Sequence, residues 1–315
     1  MEKFKKLRAQ LRERVDKKEL VVAPGAYDAL TARVFEKAGY DAVYMTGHGT
    51  GAGMLAWTDV GLATMTEMVW NAKNICNAVN IPVIADMDTG YGNAVNVVRA
   101  VKEYEQAGVC GFHIEDQASP KKCGFMKGKA LVSKEEMIGK IKAAIYARED
   151  PNLLIIVRCD ARAIGGPEEL YSRAEAYLEA GADLIFPEAP LSAEDIRNDA
   201  KSISGPLFLM GSQLGRSYGL TFTQIAELGY SIVILPALAF IIAPKAVYDA
   251  AVEVKKADIA PDFYGQGRVF PWEELQELIR LPEVREYEEK FLPKEEKLAR
   301  WKGEKLPENK DYYVS

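Results

Sequence analysis

The sequence predicts an α/β protein of the (β/α)8 or TIM-barrel type carrying a C-terminal helical extension. Short runs rich in Val, Ile, Leu and Phe alternate with longer stretches of helical periodicity, the pattern of repeated βα units. Eight such runs can be counted, and several follow a helix that ends in Ala-Gly or a similar pair. No G-x-G-x-x-G follows the first run, so an open doubly wound sheet lacks its usual signature.

The chain opens on the charged, amphipathic MEKFKKLRAQLRERVDKKEL, read as a helix. Predicted strands follow at 19–25, 41–47, 81–87, 111–116, 153–160, 182–188, 206–211 and 231–237. In EKAGYDAV, EQAGVCGF, LEAGADLI and AELGYSIV the glycine stops a helix in the left-handed conformation and the next strand starts at once. Runs that are apolar on both faces suit a parallel barrel, which is buried inside and out. From about 258 the chain turns Glu- and Lys-rich and has too few apolar residues for a second core. Residues 1–257 are therefore assigned to the catalytic barrel, and 258–315 to helices that pack on it or on a neighbouring subunit.

The 315 residues accommodate one such barrel, which commonly needs about 250. A hydrophobic fraction of 48% with 27% charged residues excludes a disordered chain. The net charge of -6 argues against a general nucleic-acid binder, which needs excess Lys and Arg to displace counterions. No apolar run approaches the roughly 20 residues of a membrane span, and the charged start is no secretory signal, so a cytoplasmic protein is expected. Cys76, Cys110, Cys123 and Cys159 form no metal-binding or disulfide pattern. Three of them sit in apolar segments as buried hydrophobes, whereas Cys123 lies in polar SPKKCGFMKGK, where Lys121 and Lys122 favour its thiolate.

Active sites of such barrels form at the C-terminal strand ends, which here carry Asp86 and Asp88, then Glu115 with Asp116, then Arg158 with Asp160, then Glu188. On an extended strand, Asp86 and Asp88 point the same way, and a hard cation such as Mg2+, or Mn2+, relieves the repulsion between two carboxylates so placed. Glu115 can join that shell directly or through water. The alternative is that these acids cap helices or pair with Arg99 and Arg158. Arg158 suits a bidentate grip on a substrate carboxylate or a salt bridge to a neighbouring acid, and Glu188 a substrate contact or a partner of Arg158. His48 can reach the mouth, whereas His113 reads as a satisfied core residue.

The stretches PGAYDALTARVFEKAGYDAVYMTG, ADMDTGYGNAVNVVRAVKEYEQAGVCGFHIEDQASPKKCG and IIVRCDARA with DLIFPEA resemble the isocitrate lyase and phosphoenolpyruvate mutase superfamily over about residues 20–255. The resemblance implies a barrel that exchanges its last helix with a partner and forms a homotetramer. It implies Mg2+ held by Asp86 and Asp88 with Asp59 and Glu115 behind, and a small carboxylate substrate held by Tyr44, Thr46, Gly47 and Arg158. Glu188, Ser212 and Gly124 complete the expected substrate contacts. The lyase branch carries a mobile Lys-Lys/Arg-Cys-Gly-His loop whose cysteine delivers a proton, and here Lys121-Lys122-Cys123-Gly124-Phe125 departs from it at Phe125.

A second departure is LFLMGSQLG, where methylisocitrate lyases read like Leu-Ala-Asn-Met-Thr-Glu-Phe-Gly. Met210, Ser212 and Gln213 replace Asn, Thr and Glu, which favours a smaller, more methylated malate. The expected reaction is a retro-Claisen cleavage of a 2,3-dimethylmalate- or 2-methylisocitrate-like acid to pyruvate and a carboxylate. In it Cys123 is the proton donor, and Tyr44, its phenol lowered by the metal and Arg158, is the base. Carboxyphosphonoenolpyruvate phosphonomutase, which MTGHGTGAGMLAWTDVGLATMTE also resembles, and oxaloacetate decarboxylase are the alternatives.

Overall fold

A computed structural model describes residues 2–124, 126–213 and 216–293, without the side chains of 213, 216 and 217. It divides into two compact units, Met1–Lys245 and Ala246–Ser315. In the first, eight parallel strands among the described residues close into a barrel: β1 Val21–Ala26, β2 Val43–Met45, β3 Val83–Asp86, β4 Gly111–Glu115, β5 Leu154–Cys159, β6 Leu184–Pro187, β7 Leu207–Met210 and, after the short antiparallel pair β8 Ser212–Gln213 and β9 Arg216–Ser217, β10 Tyr230–Leu235. β1 pairs with β2 on one side and with β10 on the other, which closes the ring. All eight predicted strands are thus present and shorter than predicted, although β1 runs one residue further, to Ala26, and β10 starts one residue earlier, at Tyr230.

Helices α1 Glu2–Asp16, α2 Ala29–Lys37, α3 Gly47–Leu55, α4 Met65–Ala78, α5 Ala94–Ala107, α6 Lys134–Ala147, α7 Arg162–Glu179, α8 Ala193–Ser202, α9 Phe222–Glu227 and α10 Leu238–Ala257 accompany the strands. Local chemistry sets their starts. Asp28, Thr64, Asn93 and Thr221 each cap a helix by accepting from the backbone of its first turn, while the residue three positions on bonds back. α3 departs from the prediction: the expected second strand runs to Gly47, but Thr46 caps a helix there, its hydroxyl accepting from Gly49 N at 3.2 Å.

The period of two along each strand separates two cores. Outward residues such as Phe112, Ile114, Ile155, Val157 and Ile185 pack under the helices. Inward residues such as Tyr44, Ile84, Ile156, Phe186, Phe208 and Ile232 fill the barrel with Leu7, Leu11 and Val15 of α1, which plugs its N-terminal end. Arg8 of α1 is buried there, donating to Val109 O at 2.8 Å and pairing with Asp150 at 3.3 Å. Cys76, Cys110 and Cys159 are buried as expected.

The second unit contains the end of α10 with α11 Trp272–Leu278 and α12 Leu281–Phe291, and the tail from 294 lies outside the described residues. Among the described residues no helix is long and apolar enough to cross a membrane. Leu11 is 1% exposed at the centre of the plug, so Leu11→Ala is expected to lower the unfolding free energy by about 3 kcal/mol, read as a drop in the urea midpoint.

Candidate active site

The pleat that fills the barrel with apolar side chains also aims its last polar ones inward. Continuing from Ile84, Ile156 and Phe186, two residues further on along each strand stand Asp86, Arg158 and Glu188. Glu115 and Arg158 are paired across β4 and β5, and both are buried. Asp116 faces the other way, accepting from Tyr177 Oη at 2.9 Å and Arg173 at 3.3 Å beneath α7.

Arg158 sits among three acids. Its Nε lies 2.8 Å from Asp160, 3.2 Å from Glu115 and 3.6 Å from Glu188, and its second nitrogen donates to Asp160 Oδ1 at 3.0 Å. Burial opposes the guanidinium charge, but Asp160, Glu115 and Glu188 outweigh it and keep the group ionised. Burial raises Glu188, and Glu115 well above the carboxylate range, against the pull of Arg158. Asp160, tied further to Lys129 at 2.6 Å, is held low: burial is more than offset by Arg158 and Lys129.

The metal-binding candidates converge, though not as the strand argument supposed. β3 ends at Asp86; Asp88 lies beyond it in the left-handed region at φ 46° and folds back so that its N–H donates to Asp86 Oδ1 at 2.9 Å. A turn, not the pleat, brings the two carboxylates together. Lys121 Nζ, itself buried, bridges half-buried Asp59 at 2.5 Å and buried Asp88 at 2.6 Å. Burial raises Asp88, and Asp86 and Asp59 add to it against Lys121. Burial works against Asp86 too, but His113 and Lys121 prevail and hold it low.

Tyr44 Oη lies 2.7 Å from His113 Nε2 and 3.3 Å from Asp86 Oδ2. The expectation of a lowered phenol is corrected here. Burial first, and the Asp86 carboxylate second, push Tyr44 well above its ordinary value, outweighing Arg158 and Lys121. His113, fully buried, is pushed down to about 4 by burial against the opposing pull of Asp86, so it is neutral near pH 7. It forms the floor of the site as well as part of the core.

Above these groups lies a cavity with about 510 Å3 of empty space. Tyr44, Thr46, His48, Asp59, Asp86, Cys123, Gly124, Arg158, Glu188 and Ser212 form its polar wall, and Phe186, Met210, Ile234, Pro236, Ala237 and Phe240 its apolar one. Asp88 and Glu115 lie outside the lining, and Gly47 abuts Asp86, where a Cβ would stand 2.3 Å from Oδ2. The loop bearing Cys123 is seated: Cys123 N donates to Asp59 O at 3.1 Å, and Gln117 Nε2 donates to Lys122 O at 2.8 Å. Phe125 and the side chain of Gln213 lie outside the described residues.

The donor set fits a hard divalent cation. Asp86, Asp88 and Glu115 are buried and Asp59 is half-buried, all offer carboxylate oxygens, and Lys121 already brings a positive charge to Asp59 and Asp88. Both Glu115 oxygens lack a hydrogen bond while buried, an arrangement that a cation or its bound water satisfies. Sequence reasoning named Asp160 beside Arg158 and Lys121 beside Cys123 but gave neither a part in holding the acids together, and it read His113 as core. For Asp160 the signal was present, since it stands two residues beyond Arg158 on the same inward row.

At Gly124 a Cβ would fall 1.8 Å from Glu188 Oε1. Gly124→Ala is therefore expected to unseat the loop, and limited proteolysis should show faster cleavage between 118 and 129 with the melting temperature of the barrel little changed.

The sequence pattern of the family described as phosphoenolpyruvate phosphomutase matches residues 11–255. A 2,3-dimethylmalate lyase of Eubacterium barkeri is 45% identical over 283 residues, covering 90% of this chain and 97% of the relative. A 2-methylisocitrate lyase of Aeropyrum pernix is 45% identical over 230 residues, 73% of this chain and 74% of the relative. Among solved structures, phosphonopyruvate hydrolase in complex with oxalate and Mg2+ superposes with a TM-score of 0.83 at 32% identity, covering 91% of this chain and 99% of that one. The barrel, the inward row of acids and these likenesses agree: the chain belongs to the phosphoenolpyruvate phosphomutase family, within the isocitrate lyase and phosphoenolpyruvate mutase superfamily.

Proposed function

We propose that this chain is a divalent-cation-dependent carbon–carbon lyase that cleaves a substituted malate, of the 2,3-dimethylmalate type, to pyruvate and a second carboxylate. One observation carries the reading: the Cys123 thiol, the Arg158 guanidinium and the Asp86 carboxylate line a single cavity. A proton donor, an anion-stabilising group and a cation ligand thus face the same small molecule. The likeness to the 2,3-dimethylmalate lyase over nine-tenths of this chain supports the substrate class.

Asp86 and Asp88 would hold Mg2+, with Asp59 and Glu115 behind them, and the bound cation would supply Lewis-acid polarisation of the substrate's 2-hydroxyl and carboxylate. As the 2-hydroxyl loses its proton to water and becomes the carbonyl of pyruvate, breaking C2–C3 leaves the bond's electrons on C3 as the enolate of a carboxylate, and the buried, fixed charge of Arg158 stabilises that anion as it forms. The Cys123 S–H then delivers its proton to C3. Tyr44, kept neutral by burial, serves as a hydrogen-bond donor to the substrate, with Thr46 and Ser212 as further polar contacts and the Gly47 backbone beside Asp86. Met210 and its apolar neighbours suit methyl substituents, and the Met210 side chain itself offers a third carboxylate no donor, which favours a dimethylated malate over 2-methylisocitrate.

The second proposal concerns assembly. α10 buries none of its residues and exposes Ile242, Val247 and Tyr248, which supports a homotetramer with helices exchanged between subunits. A monomeric mass in sedimentation equilibrium would contradict it.

Pyruvate release should be measured with 2,3-dimethylmalate, 2-methylisocitrate, isocitrate, citramalate and oxaloacetate, each with Mg2+ and with excess chelator. Chelator-sensitive pyruvate from the dimethylated acid is expected, turnover confined to oxaloacetate would make the protein a decarboxylase, and silence throughout would favour the phosphonomutase. Cys123→Ser should lower kcat about 10²- to 10⁴-fold with little change in KM. Met210→Asn should shift kcat/KM toward 2-methylisocitrate by roughly tenfold or more, the worth of a hydrogen bond to a charged group.

A further inference from the structure

The same cavity holds a donor set of a different kind. His48, Asp59 and Cys123 each offer one ligand atom, an imidazole nitrogen, a carboxylate oxygen and a thiol sulfur, all within 4.8 Å of one another. They come from three separate stretches of chain: His48 from α3, Asp59 from the segment after it, and Cys123 from the seated loop. None of the three geometries is left to a long, freely turning side chain. The His48 ring packs against Phe240 with centroids 4.6 Å apart and planes tilted by 49°, and the backbone of Cys123 is fastened to that of Asp59 by the 3.1 Å hydrogen bond.

We propose that His48, Asp59 and Cys123 form a soft-cation site that takes Zn2+ and, when filled, holds the loop shut and the thiol out of catalysis. Nitrogen, sulfur and one carboxylate oxygen are ordinary zinc donors, and three protein ligands leave a fourth position for water. Asp59 is shared with the all-oxygen place, where it stands behind Asp86 and Asp88, but the nitrogen and sulfur of His48 and Cys123 give this set a softer chemistry than one that suits a hard ion. Lys121 engages Asp59 Oδ1, so the proposed site uses the second carboxylate oxygen. Binding replaces the Cys123 S–H bond with a sulfur–metal bond and releases that proton to solvent, without oxidation or reduction. Its inhibitory consequence rests on Cys123 being the lyase's proton donor; the site itself does not.

The test is a Co2+ titration of the full-length protein in saturating Mg2+, followed by the near-ultraviolet charge-transfer absorption of a thiolate bound to Co2+, with Zn2+ then added to displace it. One Co2+ per chain with that band, lost in Cys123→Ser and weakened at least about tenfold in His48→Phe, is expected. Cys76, Cys110 and Cys159 are shut away in the core, so a band surviving Cys123→Ser would overturn the assignment, as would its absence or its indifference to His48→Phe. Asp86→Asn, which disables the proposed hard-ion place, should keep the band. With activity read in Mg2+ alone, before any Co2+ or Zn2+ is added, a protein inactive on every acid that later gives the band would refute the functional reading and leave the zinc site standing, whereas an active lyase that gives no band would do the reverse.

Discussion

The constraint on which this site depends is the crowding of negative charge at one end of a barrel. Asp59, Asp86, Asp88, Glu115, Asp160 and Glu188 are gathered there, five of them buried, where an unpaired carboxylate costs several kcal/mol. Two cations organise the crowd. Arg158 anchors Asp160, Glu115 and Glu188, and Lys121 anchors Asp59 and Asp88. Two further carboxylate-facing groups, Lys129 and neutral His113, finish the local balance at Asp160 and Asp86. Six carboxyl groups thus face three cations, and burial relieves the rest of the crowding by raising Glu115, Glu188 and Asp88; a divalent ion, as proposed, would relieve it further.

The two anchors differ in where they sit. Arg158 belongs to β5 and is fixed by the barrel itself, whereas Lys121 belongs to the loop that carries Cys123. Seating the loop thus neutralises acids and positions the thiol in one movement. Gly124 reports how close this seating is, since even a methyl group there would collide with Glu188.

Most of the architecture was legible in the chain because burial on both strand faces writes a continuous apolar signal and the Ala-Gly stops punctuate it. The inward row was legible for the same reason: period two carries Phe186 to Glu188 and Ile156 to Arg158 without further information. What escaped were features set by backbone turns and long-range contacts. Asp88 reaches Asp86 through a left-handed residue that no alternation rule foresees. Lys121 acts through acids about thirty and sixty residues away in sequence, and the high Tyr44 phenol follows from burial that only the closed barrel creates. α3 was hidden because GHGTGAGML is glycine-rich and helix-averse, and its start depends on the Thr46 cap.

The barrel's two ends answer to separate demands. α1 seals one end with Leu7, Leu11, Val15 and a bonded Arg8, none of which approaches the cavity. Exchanges at the end of β7 and just beyond it, such as Met210 and Ser212, alter the cavity wall without touching that seal. Mutational tolerance is therefore uneven along the barrel axis: the sealed end sets how much stability is held in reserve, and the open end is where a lineage can exchange one acid for another while drawing on that reserve.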